Sequence, residues 1–122
     1  MDSEGLGVAQ TLCLKYTQLI QENRKEILQL YSPGANISWN GDQFTGIESI
    51  KLLYDQLPNV KLSPRGLDYQ VIPSTNLCIV VAMIGIITIG KGNIGDFHMT
   101  FCVEADPSTR TAYIHSQAVF LN

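Results

Sequence analysis

The sequence lacks a basic stripe. Eight lysines and arginines stand against eleven acidic residues among 122, giving a formal net charge of −3. Arg24-Lys25 is the only adjacent basic pair and is expected to face solvent. Nucleic acid is held through clustered cations on its phosphates, so direct binding is not expected. No stretch reaches the roughly 20 apolar residues a membrane helix needs. The opening Met1-Asp2-Ser3-Glu4-Gly5 is acidic and polar, unlike a secretory leader. Cysteine is scarce. Cys13, Cys78 and Cys102 are odd in number, widely spaced and set in apolar strings, which suggests buried free thiols in a reducing compartment. Neither a disulfide framework nor a metal site is expected, and no cofactor motif stands out. Gly90-Lys91-Gly92-Asn93-Ile94-Gly95 falls between two strands, without the helix N-terminus a phosphate loop requires. Repeats, low-complexity tracts and linkers are missing too, so residues 1–122 read as one domain with one core.

What the chain does have is an uncharged run at 77–89, rich in isoleucine and valine. Turn formers bound it, Pro73-Ser74-Thr75-Asn76 before and Gly90-Lys91-Gly92-Asn93 after. The pattern predicts a long buried strand. Side chains alternate between faces along a strand. Ile79, Val81, Met83 and Ile87 share one face; Cys78, Val80, Ala82, Ile84 and Ile86 share the other. Both faces are apolar, whereas a half-exposed antiparallel strand should alternate with polar residues. The chain's helices can cover one face. The second needs a further layer, a partner protein or a ligand.

The rest of the chain supplies those helices. Residues 6–22 carry Val8, Leu12, Tyr16, Leu19 and Ile20 at helical spacing. Asn23 with Glu26 resembles a capping box opening a short second helix through Ile27, Leu28, Leu30 and Tyr31. Ser32-Pro33-Gly34 should stop it. Residues 36–44 then read as a hairpin, because Asn40-Gly41 suits a type I′ turn. Thr45-x-x-Glu48 is a second capping box before a helix with Ile47, Ile50, Leu53, Tyr54 and Leu57 inward, ending at Pro58. Strands are expected at about 60–72, 77–89, 96–104 and 111–121, with a bulge or bend at Pro64 and Gly66. Ala105-Asp106-Pro107-Ser108-Thr109 makes the last turn. The fold class is α+β, with three N-terminal helices packed on one face of a curved antiparallel sheet.

Candidates for acid–base chemistry are His98, His115, Asp68, Asp96, Tyr16, Tyr54 and Tyr69. Asp96 and His98, two apart on a strand, would point the same way. The plainer reading is a polar loop-end acid beside a strand histidine. His115 reads as a hydrogen-bonded strand residue rather than a metal ligand. Trp39 reads as core or pocket rim.

The order of elements, with Trp39-Asn40-Gly41…Phe44-x-Gly46, the helix ending Leu57-Pro58, and Gly95-Asp96-Phe97-His98-x-x-Phe101, resembles the nuclear transport factor 2-like family from about residue 8 to 121. The resemblance implies a cone-shaped domain without enzymatic activity and without a cofactor. One branch is a homodimer that imports the GDP form of Ran, with an acid directly after the tryptophan and further acids in the late loop. Here Asn40 follows Trp39, and the loop carries Lys91 and Asn93, with Asp96 the only nearby acid. The chain is more similar to the small subunit of the mRNA export receptor. That branch implies heterodimerisation, sheet on sheet, with a matching domain of a large receptor subunit, support for phenylalanine-glycine nucleoporin binding, and residence in nucleus, nuclear pore and cytoplasm. It implies partner contacts at Asp68, Val80, Ala82, Ile84, Ala118 and Phe120, Asp68 pairing with an arginine of the large subunit. Trp39, Asn40 and Phe97 are expected to line a pocket. Ran-GDP import by a homodimer is the alternative, and a small enzyme or ligand-binding cone the third reading.

Overall fold

The computed structural model describes residues 3–72, 78–106, 109 and 111–121, with side chains for 7–66, 78–105, 109 and 111–121. The turn expected at Pro73–Asn76, and Pro107-Ser108 of the last turn, lie outside the described residues. In chain order the elements are α1 (Ser3–Glu22), a 3₁₀ helix (Arg24–Leu30), β1 (Tyr31–Trp39), β2 (Asp42–Thr45), α2 (Ile47–Gln56), β3 (Val60–Ile72), β4 (Cys78–Ile89), β5 (Asn93–Asp106) and β6 (Thr111–Leu121).

The six strands form one sheet in the order β2-β1-β6-β5-β4-β3. The last four make the expected antiparallel meander. β1 joins its free edge by pairing parallel to β6. The sheet is therefore mixed rather than wholly antiparallel. Parallel neighbours need a long connection, and here the whole intervening chain supplies it. Nor are the helices all N-terminal, since the β1–β2 hairpin precedes α2.

Local chemistry accounts for most of these elements. In α1, Ala9, Leu12, Cys13, Tyr16 and Ile20 form one buried stripe at helical spacing. The second helical segment winds as 3₁₀, not α. Ile27 and Leu30, three apart, then eclipse on one side and both reach the core. The Asn23 side chain makes no cap bond; its backbone carbonyl accepts the Glu26 N–H at 3.0 Å instead. The segment ends at Leu30, and β1 runs through Ser32-Pro33-Gly34 with its register broken between Tyr31 and Asn36. Asn40 (φ 50°) and Gly41 (φ 98°) form the expected left-handed pair in the β1–β2 turn. The Thr45 capping box does not form. Thr45 is held in β2 opposite Asn36, so Gly46 becomes the N-cap at φ 87°, a conformation glycine adopts without strain.

The bulge expected in β3 is present, with Pro64 opposite Gly85 and Gly66 opposite Ile84, leaving Arg65 extra. It presses backbone onto β4. A Cβ on Gly85 would sit 2.3 Å from the Ser63 carbonyl oxygen and 2.9 Å from Phe97. Ile79, Val81, Met83 and Ile87 of β4 face inward and are buried, as expected, opposite Val103, Phe101 and Met99 of β5. Ile114 and Val119 of β6 and Ile37 of β1 complete the floor on which the helices pack.

Candidate functional site

The other side of the sheet carries the candidate site. Its geometry follows from register, because paired residues share a face. One row runs Gln43, Ser38, Ala118, Thr100, Ala82, Asp68 across all six strands. The next on one side contains Asn36, Ser116, Cys102 and Val80. The next on the other contains Phe120, His98, Ile84 and Gly66. Ile84 (53 % exposed) and Phe120 (54 %) stand out farthest, and the His98 ring lies 6.2 Å from that of Phe120. Every described side chain of these rows is half-buried or exposed. The residues between them on the same strands, Ile79, Val81, Met83, Met99, Phe101 and Val119, are buried. The chain's helices have thus covered one face and left the other open.

The open face is apolar at its centre and polar toward its margins. Asp96 and His98 do share it, both exposed. His115 pairs with Glu104 at 3.2 Å, from the middle of β6. Val80, Thr100, Cys102, Ser116 and Ala118 line a shallow depression of about 240 Å³. Val80, Ala82, Ile84, Ala118 and Phe120 all occupy this face. Asp68 holds the register position opposite Ala82; its side chain, like that of Tyr69, lies outside the described residues. Two thiols also stand here. Cys78 and Cys102 are half-exposed rather than buried, with sulfurs 2.8 Å apart. Burial and the neighbouring Cys102 push the Cys78 thiol up to about 11.

Two of the residues expected to line a pocket, Trp39 and Phe97, are buried side chains. Trp39 is buried edge-on against Tyr54, ring centroids 6.4 Å apart, and Phe97 is buried beneath β4. Asn40 lies exposed in its turn, where Oδ1 accepts the Leu121 N–H at 3.1 Å and ties the hairpin to the end of β6.

The tyrosine candidates meet, but in a sealed network. The hydroxyls of Tyr16 and Tyr54 are 2.9 Å apart, those of Tyr54 and Tyr31 2.7 Å, and Tyr31 donates to Gln117 Oε1. A hydroxyl has one proton to donate. Tyr31 spends its proton on Gln117, so it accepts from Tyr54, and Tyr54 in turn accepts from Tyr16. Burial raises the pKa of all three tyrosines, the hydrogen bonds adding to or offsetting it. With their pKa values raised, the three hydroxyls stay protonated and form one buried hydrogen-bonded chain. Gln117 escaped the sequence reading, and Tyr31 entered it only as an apolar helix residue; the signal was Gln117 two residues before inward Val119.

Arg24 also departs from expectation. Its guanidinium donates to the Tyr54, Leu57 and Pro58 carbonyls at 3.1, 2.5 and 2.6 Å. Helix C-terminal carbonyls lack partners within the helix, and a cation suits that end of the dipole. Lys25 is exposed, as expected. A larger hollow of about 600 Å³ lies between α1, the 3₁₀ helix and the start of β6, lined in part by Val8, Thr11, Leu12, Leu30 and Tyr113. No group of three metal-ligating side chains occurs among the described residues. Nor, among them, is any helix long and apolar enough to cross a membrane.

Residues 8–121 match the nuclear transport factor 2 (NTF2) domain family. The chain belongs to that family. Its NTF2 domain is 31 % identical over 55 residues to NTF2-related export protein 2 of Bos taurus, a match covering 45 % of this chain and 39 % of that protein. The fold superposes on nuclear transport factor 2 from Cryptosporidium parvum with a TM-score of 0.84 at 21 % identity, covering 100 % of this chain and 98 % of the other. It also superposes on a chain of the Mtr2–Mex67 M domain complex from C. albicans, TM-score 0.71 at 16 % identity, covering 96 % and 94 %. The relationship to export and transport factors was thus legible from the tryptophan hairpin and the late Phe motif.

Proposed function

We propose that this NTF2 domain is a non-enzymatic subunit of nucleocytoplasmic transport that docks through its open sheet face onto a matching domain of a larger mRNA export receptor. One observation carries the reading: the apolar, uncovered face centred on Val80, Ala82, Ile84, Ala118 and Phe120. Likeness to an export protein and to a fold found in the two-protein Mtr2–Mex67 M domain complex supports the choice of partner. In this reading the pair supports nucleoporin binding and moves between nucleus, pore and cytoplasm. Asp68, in the row of Ala82, meets a cation of the partner. A carboxylate enclosed there would discriminate against a wrong partner more than it would add affinity.

The fold serves enzymes and transport factors alike. The second is favoured here because the inward rings Trp39, Phe97 and Phe101 are all buried as core. The homodimeric alternative, a carrier of Ran-GDP, draws on the likeness to nuclear transport factor 2. Its acids are not matched at Asn40 and Lys91, where a lysine would repel the cations they meet.

The test is light scattering of the purified chain, then titration with the receptor's NTF2-like domain. A monomer or weak self-associating mixture that forms a stable 1:1 complex supports the proposal. A tight symmetric dimer that ignores the receptor and captures Ran-GDP overturns it. Interfaces of this kind bury about 800 Å² per partner. Ala82→Arg places an unpaired charge at the centre of that area, so complex formation should be lost, at a cost of several kcal/mol, while the circular dichroism of the isolated chain stays unchanged.

A further inference from the structure

The open end of the β4–β5 hairpin carries a feature that docking does not require. Cys78 is the first residue of β4 and pairs with Glu104; Cys102 pairs with Val80. The two cysteines are therefore diagonal neighbours on one face of adjacent strands, 24 positions apart in sequence. Diagonal neighbours usually sit at the limit of what a disulfide spans. Here the sulfurs have already approached to 2.8 Å, within about 0.8 Å of bonding distance. Both side chains are half-exposed, and the shallow depression beside Cys102 gives a small reagent access to its sulfur. Cys13, by contrast, is fully buried in α1.

We propose that Cys78 and Cys102 form a redox-active dithiol that closes into an intrachain disulfide by exchange with a small disulfide of the glutathione class. The sulfur of one cysteine, as thiolate, attacks the small disulfide. Its S–S bond breaks, one small thiol leaves, and a mixed disulfide remains on the protein. The second cysteine then attacks that protein sulfur, and the second small thiol leaves. The protein loses two electrons and two thiol protons, and the small disulfide is reduced to two thiols. The bond clasps the hairpin at the end opposite the Gly90–Gly92 turn. It forms at one corner of the open sheet face.

The test uses the full-length chain and a Cys13→Ser variant, each equilibrated in mixtures of oxidised and reduced glutathione, quenched by alkylation, and mapped by mass spectrometry after proteolysis. The expected result is a loss of about 2 Da, two hydrogens, and a peptide linking Cys78 to Cys102 in both proteins. Cys78→Ser and Cys102→Ser should each abolish the linked peptide. Three results overturn the proposal. One is folded Cys13→Ser protein whose two thiols stay reduced throughout. Another is glutathione adducts that never resolve into the internal bond. The third is a linked peptide that contains Cys13.

Discussion

The two faces of one sheet have been given different neighbours. The inner face packs Val81, Met83, Met99 and Phe101 against α1, and each is fully buried. The outer face presents Val80, Ala82, Thr100 and Cys102 from the same strands, one residue out of phase, and none of them is buried. Because strand parity is strict, a single apolar run has stocked both faces. On β4 the difference lies in where the helices went, not in hydrophobicity; on β5 the outward Asp96, His98, Thr100 and Glu104 are also the more polar set. An inner position reports on folding, and an outer one should report on association.

The sharpest way to break that comparison is a matched pair of phenylalanines. Phe101 is fully buried and meets Tyr16 edge-on at 5.3 Å, whereas Phe120 is 54 % exposed. Phe101→Ala should lower the unfolding free energy by about 3–5 kcal/mol, read from urea denaturation. Phe120→Ala should change it by about 0.5 kcal/mol or less and weaken receptor binding instead. Equal losses of stability from the two variants would show that the outer face is part of the isolated fold after all.

Alkaline pH probes the inner face by another route, with Cys78 of the outer face contributing between pH 9.0 and about 11. Cys13 lies under the inner face, and burial raises its thiol pKa from 9.0 to about 12. A raised thiol pKa means the unfolded chain deprotonates first. Stability from this group is fully present below pH 9.0 and is lost as pH rises toward about 12. The slope is about 1.4 kcal/mol per pH unit. Cys13→Ala should flatten that part of the curve, with the three buried tyrosines contributing at its upper end. An unchanged slope in the variant would remove Cys13 as a cause.

Much of this arrangement is readable in one dimension. The Asn40-Gly41 turn, the Pro64–Gly66 bulge and the division of β4 into two apolar faces rest on local periodicity or on φ preferences and emerged at their places; in α1, Leu12, Tyr16 and Ile20 are buried as expected while Ala9 and Cys13 take the places given to Val8 and Leu19. What escaped depends on tertiary neighbours. Two capping boxes failed because Asn23 and Thr45 were already committed, one to a backbone bond and the other to β2. The β1–β6 pairing joins segments too distant for any local pattern to link. Arg24 looked like solvent decoration until α2 brought three carbonyls to it. At the site, the grouping of β4 residues into two faces was legible, but which face the helices cover and the approach of Cys78 to Cys102 required the packed sheet and the β4–β5 register.

The tyrosine network refines the inner half of the comparison, since it shows polar groups tolerated there only as a directed chain. Proton counting sets the order Tyr16 to Tyr54 to Tyr31 to Gln117. Tyr54→Phe removes the middle link. The Tyr16 proton then has no acceptor in the chain and Tyr31 loses its donor, so the cost should be about 1–3 kcal/mol. Tyr16→Phe removes only the first donor and leaves every remaining proton placed, so its cost should be the smaller, about 0.5–1.5 kcal/mol. Thermal or urea denaturation of the two variants decides the direction. Equal losses from the two variants would mean that Tyr16 is an acceptor within the chain, with the protons running the other way.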